Sequence, residues 1–232
     1  MKNIIYKISS ELKSKFYFDY ETKNNVWFRS GGKAAVFCLV YDEKELEYII
    51  KNILNIPYEI IGAGSNMLIR DRGFEGIIFK LGKNFNKIEV TDSFLEVGAS
   101  ILDINLSRFA KLKNIKDFEF FSGIPGTIGG AVKMNAGCYG LETKDNLKEI
   151  KIINSLGKII NLKKEQINLT YRNSSLNKGD LVLSAYFNYL YGEPEEIALK
   201  LNEIKERREI SQPLKTKTSG STFKNPPNHF AA

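Results

Sequence analysis

Gly123-Ile124-Pro125-Gly126-Thr127-Ile128-Gly129-Gly130-Ala131-Val132-Lys133-Met134-Asn135-Ala136-Gly137 is the stretch around which this 232-residue chain is organised. It holds five glycines and a proline, yet it is not a linker. Linkers are polar and repetitive, whereas here Ile124, Ile128, Val132 and Met134 interleave the glycines. Glycine reaches positive φ and lets another group come close. Pro125 fixes one φ and withdraws one N–H. Thr127 is placed to cap a short helix running from Ile128 to Met134. A capped helix start among bare glycine amides is a site for an anion, usually a phosphate. Read alone, the stretch is either such a cradle or a tight turn ahead of a buried glycine-rich helix.

Upstream, the polar residues 1–28 read as an arm. Gly31-Gly32 marks a turn, and Ala34 to Tyr41 forms a buried strand. Asp42 with Glu45 is a capping box for a helix from Glu43 to about Asn55. That helix places Leu46, Ile49, Ile50, Ile53 and Leu54 on one face and is stopped by Pro57. The strand Tyr58–Ile61 runs into a second glycine loop, Gly62-Ala63-Gly64-Ser65-Asn66. This loop begins like a dinucleotide fingerprint, but position 67 is Met. Residues 67–71 read as strand and turn rather than helix, so the Rossmann context is absent. Successive amides in such a loop can still bind an anion.

Gly76–Leu81 is a strand, and 87–90 with 94–97 form a hairpin across Thr91-Asp92-Ser93. Ser100 and Asp103 resemble a capping box for a helix over 101–113. Downstream of the central stretch come strands near 147–154 and 158–162, the segment Thr170-Tyr171-Arg172-Asn173-Ser174-Ser175, and a strand over 180–190. A helix opened by Pro194 ends near Ile210, its Lys-Glu-Arg-Arg suiting a helix C-terminus. Hairpins mixed with helices give an α+β class rather than a doubly wound sheet.

Composition bounds the function. Hydrophobic residues at 43% and charged residues at 26% fit a globular protein with a sizeable core. The formal charge of +7 suits an anionic ligand such as a nucleotide. No basic block with interleaved aromatics is present, so nucleic acid is not an expected partner. Cys38, Cys138 and the single His229 cannot make a usual zinc set, so no metal is expected. No stretch suits a signal peptide or a membrane span.

Five segments together resemble the UDP-N-acetylenolpyruvoylglucosamine reductase family, in its shorter subtype. They are Gly62–Asn66, Gly123–Gly130, Met134-Asn135-Ala136-Gly137, Tyr171-Arg172 and Gly220-Ser221-Thr222-Phe223-Lys224-Asn225-Pro226. The resemblance runs in order from about Trp27 to Ala232. It implies a two-lobed FAD-binding domain of the vanillyl-alcohol-oxidase (PCMH) type over 29–191, with lobes at about 29–83 and 84–191. A linking helix and the start of a substrate-binding α+β domain would occupy 192–232.

The FAD contacts implied are Gly62, Ala63, Gly64, Ser65, Asn66, Gly123, Ile124, Pro125, Gly126, Thr127, Gly129, Gly130, Ala131 and Asn135. NADPH would be the hydride donor and UDP-N-acetylglucosamine enolpyruvate the substrate, reduced to UDP-N-acetylmuramate for peptidoglycan and cell-wall synthesis. Hydride addition leaves negative charge beside a carboxylate, and that charge needs fixed cationic groups in a dry site. Arg172 matches the family arginine in this role, and an arginine is the natural bidentate partner of a carboxylate. Ser221 matches the serine that returns the proton. Tyr171, Lys224 and Asn225 lie where the family contacts substrate, with Lys215 and Lys217 as further diphosphate contacts.

Read singly, Arg172 is a surface arginine and Ser221 a turn serine; only the joint match gives them roles. The family's catalytic glutamate would fall beyond residue 232. The resemblance therefore carries an alternative, a flavin-binding remnant without turnover. A different flavin oxidase sharing the FAD fold is disfavoured by Gly220–Pro226. A cytoplasmic monomer is the expected form.

Overall fold

The computed structural model of the chain describes residues 1–211, 223–226, 229 and 231. Its first sheet is built from β1 (Lys15–Glu21), β2 (Lys33–Val40), β3 (Tyr58–Ile60) and β4 (Phe74–Leu81), in the order β1-β2-β4-β3. β2 and β3 both run parallel to β4, and β1 is antiparallel to β2. β2 reads as a continuous apolar run because both its faces are covered. Val36 and Cys38 enter the main core, while Ala34 and Phe37 join a smaller cluster with Val26, Ile61, Ile69 and Ile78.

Two helices flank this sheet, α1 (Lys2–Ser9) and α2 (Glu43–Asn52). Ten residues are too few for a helix to stand alone in water, so packing must hold α2. Leu46, Ile49 and Ile50 are fully buried, each worth about 1.5–3 kcal/mol. Asp42 Oδ1 accepts from Glu45 N at 2.9 Å, as the capping box requires. The return half is missing. The Glu45 carboxylate instead accepts from Lys13 N, Ser14 N and Ser14 Oγ at 2.6–2.8 Å, tying the chain before β1 to the helix.

Residues 1–28 are therefore not a simple arm. Ile5 and Ile8 of α1 enter the core, and β1 alternates exposed and half-buried along its length. Its charges sit on the outer face of an edge strand, which makes the segment look polar in sequence. The expected strand at 67–71 is also absent. Ile69 is buried in the smaller cluster while Leu68 is exposed, and only the turn survives, with Gly73 N donating to Arg70 O at 2.8 Å.

The second sheet contains β5 (Ile88–Val90), β6 (Leu95–Gly98), β10 (Leu147–Ile153), β11 (Ile159–Lys163) and β12 (Leu181–Phe187). It is antiparallel throughout, in the order β11-β10-β12-β6-β5. Between β6 and β10 the chain forms α3 (Asp103–Leu112), β7 (Ile115–Lys116), α4 (Ile128–Lys133), the small hairpin β8 (Gly137–Cys138) and β9 (Leu141–Glu142), and α5 (Thr143–Asn146). β13 (Leu190–Tyr191) pairs with β7, and α6 (Pro194–Ser211) closes the described order.

One core runs through both sheets, from Ile5, Val36 and Phe79 to Phe121, Val132, Ile150 and Phe187. The architecture is α+β, as the element order implies. α6 packs on α3 and on the 3-10 turn Glu119–Gly123. Its Arg208 Nη1 donates to Ser122 O at 3.3 Å, so the helix returns the chain to the central stretch.

Candidate functional site

The central stretch is held by the segment that leads from β6 into α3. Asp103 N donates to Gly126 O at 3.1 Å, Ile128 N to Ile101 O at 3.0 Å, and Gly129 N to Ala99 O at 3.0 Å. α4 forms where expected, but Thr127 does not cap it through its side chain. The hydroxyl points elsewhere. A Cβ on Gly62 would lie 2.2 Å from Thr127 Oγ1, so only a glycine lets the two glycine loops touch there.

The first loop is shaped by Gly64. Its φ is +73°, and a Cβ would fall 1.9 Å from Asn25 O. No L side chain fits that backbone. Trp27 N donates to Gly64 O at 3.0 Å and pins the loop from outside. None of the N–H groups of Gly62, Ala63, Gly64, Ser65 and Asn66 donates a hydrogen bond to a described residue, and the same is true of Gly126, Thr127 and Gly130. Backbone donors away from bulk water need partners, and rows of such donors form anion sites. Gly130 is open on its outer side, where a Cβ would meet nothing nearer than Thr127 Oγ1 at 3.7 Å. The donors and the open glycine fit a diphosphate.

Arg172 is brought to this region by a separate set of bonds. Ser174 Oγ donates to Lys133 O at 2.7 Å, and Lys133 Nζ donates to Leu176 O at 2.7 Å, fastening residues 170–176 to α4. Burial pulls the Lys133 ammonium below its ordinary range. Arg172 Nη2 donates to Gly137 O at 2.6 Å, and its guanidinium lies 4.9 Å from the centre of the Tyr171 ring. Arg172, Tyr139 and Asn135 all take positive φ, at 54°, 54° and 40°. Such conformations cost about 1–3 kcal/mol each and gather at functional sites.

Asn135, expected to contact cofactor, lies where its side chain braces the protein. It is fully buried. Its Nδ2 donates to Glu142 Oε2 and to Thr170 O, both at 3.0 Å, and its Oδ1 accepts from Lys144 N at 3.0 Å. Both amide hydrogens are spent on the protein, which makes this side chain a brace for the Arg172 loop.

Of the remaining expected residues, Ala63, Ser65, Gly123, Ile124, Pro125 and Gly129 are half-buried, Asn66 is exposed, and Ala131 is on the buried face of α4. Tyr171 is exposed. Lys224 and Asn225 are exposed too, and Asn225 Oδ1 accepts locally from Ala231 N at 3.1 Å. Ser221, Lys215 and Lys217 lie outside the described residues.

Sequence reasoning missed two carboxylates. Asp103 was expected to cap a helix with Ser100, but Leu102 occupies the cap position and Ser100 Oγ turns to Gly82 O. Asp103 instead is buried under Gly126, and neither carboxyl oxygen has a partner among the described residues. Glu142 pairs with Arg172 Nη1 at 3.8 Å. No spacing rule points to it. Cys138 Sγ donates to Phe120 O at 3.1 Å, and burial pushes its thiol up to about 12, so it stays protonated. Among the described residues no cluster could hold a metal ion and no helix is long and apolar enough to cross a membrane.

Comparison with known proteins agrees with this geometry. Residues 34–163 match the family described as FAD binding domain. UDP-N-acetylenolpyruvoylglucosamine reductase of Rickettsia conorii is 44% identical over 216 residues, covering 93% of this chain and 73% of that protein. The crystal structure of UDP-N-acetylenolpyruvylglucosamine reductase from Thermus caldophilus superposes with a TM-score of 0.83 at 29% identity, covering 94% of this chain and 77% of that one. The glucose dehydrogenase Phl p 4.0202 shares the fold alone, with a TM-score of 0.64 at 10% identity over 83% of this chain and 44% of its own.

Proposed function

The chain belongs to the UDP-N-acetylenolpyruvoylglucosamine reductase family, and on that premise we propose that its two glycine loops hold the FAD diphosphate and that Arg172 binds the substrate carboxylate. The chain is an FAD-dependent oxidoreductase. Its reaction is reduction of UDP-N-acetylglucosamine enolpyruvate to UDP-N-acetylmuramate, a precursor of peptidoglycan. NADPH is the proposed electron source. Residues 29–191 form the flavin domain, and 192–232 begin a substrate domain. The proposed form is a cytoplasmic monomer.

The observation that carries the reading is the contact of Thr127 with Gly62. It sets side by side two loops whose amides lack partners among the described residues. The chemistry supplied by bound FAD is hydride transfer, in from NADPH and out to the terminal methylene carbon of the enolpyruvyl ether. The protein must then hold the negative charge that develops beside the carboxylate. Arg172 has a donor for this: Nη1 is 3.8 Å from Glu142 Oε1, too far for a hydrogen bond. Preorganised donors of this kind typically contribute about 100-fold to 1,000-fold in rate.

Ser221 is the proposed proton donor. It serves as an acid only because the carbanion it meets is far more basic. α6 ends at Ser211, and its Arg208 touches Ser122, so the chain leading to Ser221 starts beside the central stretch. Lys224 and Asn225 follow as substrate contacts, and Tyr171 flanks Arg172.

The test is reconstitution with FAD followed by single-turnover assays. The chain should retain flavin after gel filtration. Arg172→Ala should keep flavin and its reduction by NADPH, yet lose at least about 100-fold in reoxidation by the enolpyruvyl substrate. Reoxidation at the unaltered rate would remove Arg172 from the reaction. Retained flavin with no substrate-dependent NADPH oxidation in the unaltered chain would favour a binding-only protein.

A further inference from the structure

Glu142 ends β9 and occupies the N-cap position of α5. Two donors fix its carboxylate. Asn135 Nδ2 donates to Oε2 at 3.0 Å and Lys144 Nζ lies 2.7 Å from Oε2, while the Glu142 backbone N–H donates to Asp145 Oδ2 at 2.7 Å. The other oxygen, Oε1, faces Arg172 Nη1 at 3.8 Å. Glu142 is also the registered partner of Gly137 in the β8–β9 hairpin, and Gly137 O accepts from Arg172 Nη2 at 2.6 Å. One rung of one hairpin thus offers a carbonyl and a carboxylate to the same guanidinium. The rung tolerates no side chain at Gly137, where a Cβ would lie 2.4 Å from Leu141 O and 2.8 Å from Glu142 Cγ.

We propose that Glu142 is the positioning residue for Arg172: with Gly137 O it forms a two-point seat that aims the guanidinium while leaving Nη1 to receive a ligand carboxylate. The proposal rests on the role given to Arg172 above. A closer Glu142 would consume the Nη1 donor, and its absence would leave the guanidinium held only by Gly137 O and the Tyr171 ring. The braces on Oε2 keep the carboxylate from closing the remaining gap. Glu142 touches neither the reacting atoms nor, through Oε2, any group other than its braces.

Glu142→Gln keeps the shape and an oxygen acceptor for Asn135 Nδ2 but removes the charge. Two readouts test it on the FAD-loaded chain, with matched flavin content and circular dichroism as the folding check. The first is exchange and rotation of the Arg172 guanidinium by nitrogen-15 NMR, which needs no turnover. Glu142→Gln should speed it about tenfold, within the coupling range for residues in contact; unchanged guanidinium dynamics would overturn the proposal. The second is single-turnover flavin reoxidation by UDP-N-acetylglucosamine enolpyruvate. Glu142→Gln should slow it about tenfold without altering flavin reduction by NADPH, and should add nothing in an Arg172→Ala background. An equal slowing in that background would show Glu142 acting apart from Arg172 and would also overturn it. Should Arg172→Ala reoxidise normally, the Arg172 role falls, while the NMR arm still decides whether Glu142 seats the guanidinium. Glu142→Asp, which retains charge, should lie nearer the unaltered chain than Gln in both readouts; the reverse order contradicts an electrostatic seat.

Discussion

Asp103 shows how much one side chain can cost. It stands at the first turn of α3, where the helix favours a negative charge by about 0.3–1 kcal/mol. It is also fully buried with both oxygens unpartnered among the described residues, and burying an unpaired carboxylate costs several kcal/mol. Burial wins, and it holds the carboxyl well above the usual carboxylate range. The folded chain therefore keeps Asp103 protonated while the unfolded chain ionises it above about pH 3.9. The stability Asp103 allows is fully present below that pH and is lost as pH rises toward the raised folded value. Asp103→Asn removes the titration and keeps the shape. Its melting temperature should match the unaltered protein near pH 4 and exceed it by a gap that widens toward pH 8, at about 2–4 °C per kcal/mol for a chain of this length. Parallel curves across that range would mean Asp103 is ionised in the fold.

At the scale of elements, the Arg172 loop is a tethered segment. Its ties run to α4 through Lys133 and Ser174, and to the β8–β9 hairpin through Asn135 and Gly137. Asn135→Ala would leave Lys144 N without its partner, remove one of the two donors on Thr170 O and on Glu142 Oε2, and place Ala at a φ of 40°. Each buried group left unpaired costs about 1–3 kcal/mol. Denaturant unfolding should report a loss of about 3 kcal/mol, and a loss under about 1 kcal/mol would show the loop held by other means. The periodic elements around this loop were legible in sequence. The stripe Leu46, Ile49, Ile50 gave α2, and the alternation across Thr91–Phe94 gave the β5–β6 hairpin. The tethers were not, because each joins residues far apart in sequence whose types carry no local signal. Capping rules failed for the same reason. Ser100 and Asp103 have capping spacing, but Gly126 O takes Asp103 N and moves the helix start to Leu102. Thr127 has a capping side chain, but Gly62 lies where its hydroxyl packs.

For the molecule as a whole, the proposed flavin site would link two loops that belong to different sheets. Gly62–Asn66 follows β3 of the first sheet, and Gly126–Gly130 is bonded to residues 99–103, which follow β6 of the second. A ligand spanning both adds to the shared core that already joins the sheets. Mass action then sets the size of the effect: at 100 times its dissociation constant, a ligand that binds only the folded state adds about 2.7 kcal/mol. For a chain of this length that is a rise of about 5–11 °C in melting temperature, growing with FAD concentration. Gly62→Ala tests whether the loop contact is what the cofactor uses. The added methyl must displace Thr127 Oγ1, which would otherwise lie 2.2 Å away, yet Gly62 is only half-buried. The variant should fold with an apo melting temperature within a few degrees of the unaltered chain while losing most of the FAD-dependent rise. Two results would contradict this. A full FAD-dependent rise in Gly62→Ala would mean the diphosphate does not lie where the loops meet. An apo chain that no longer melts cooperatively would mean the Gly62–Thr127 contact holds the two sheets together even without cofactor.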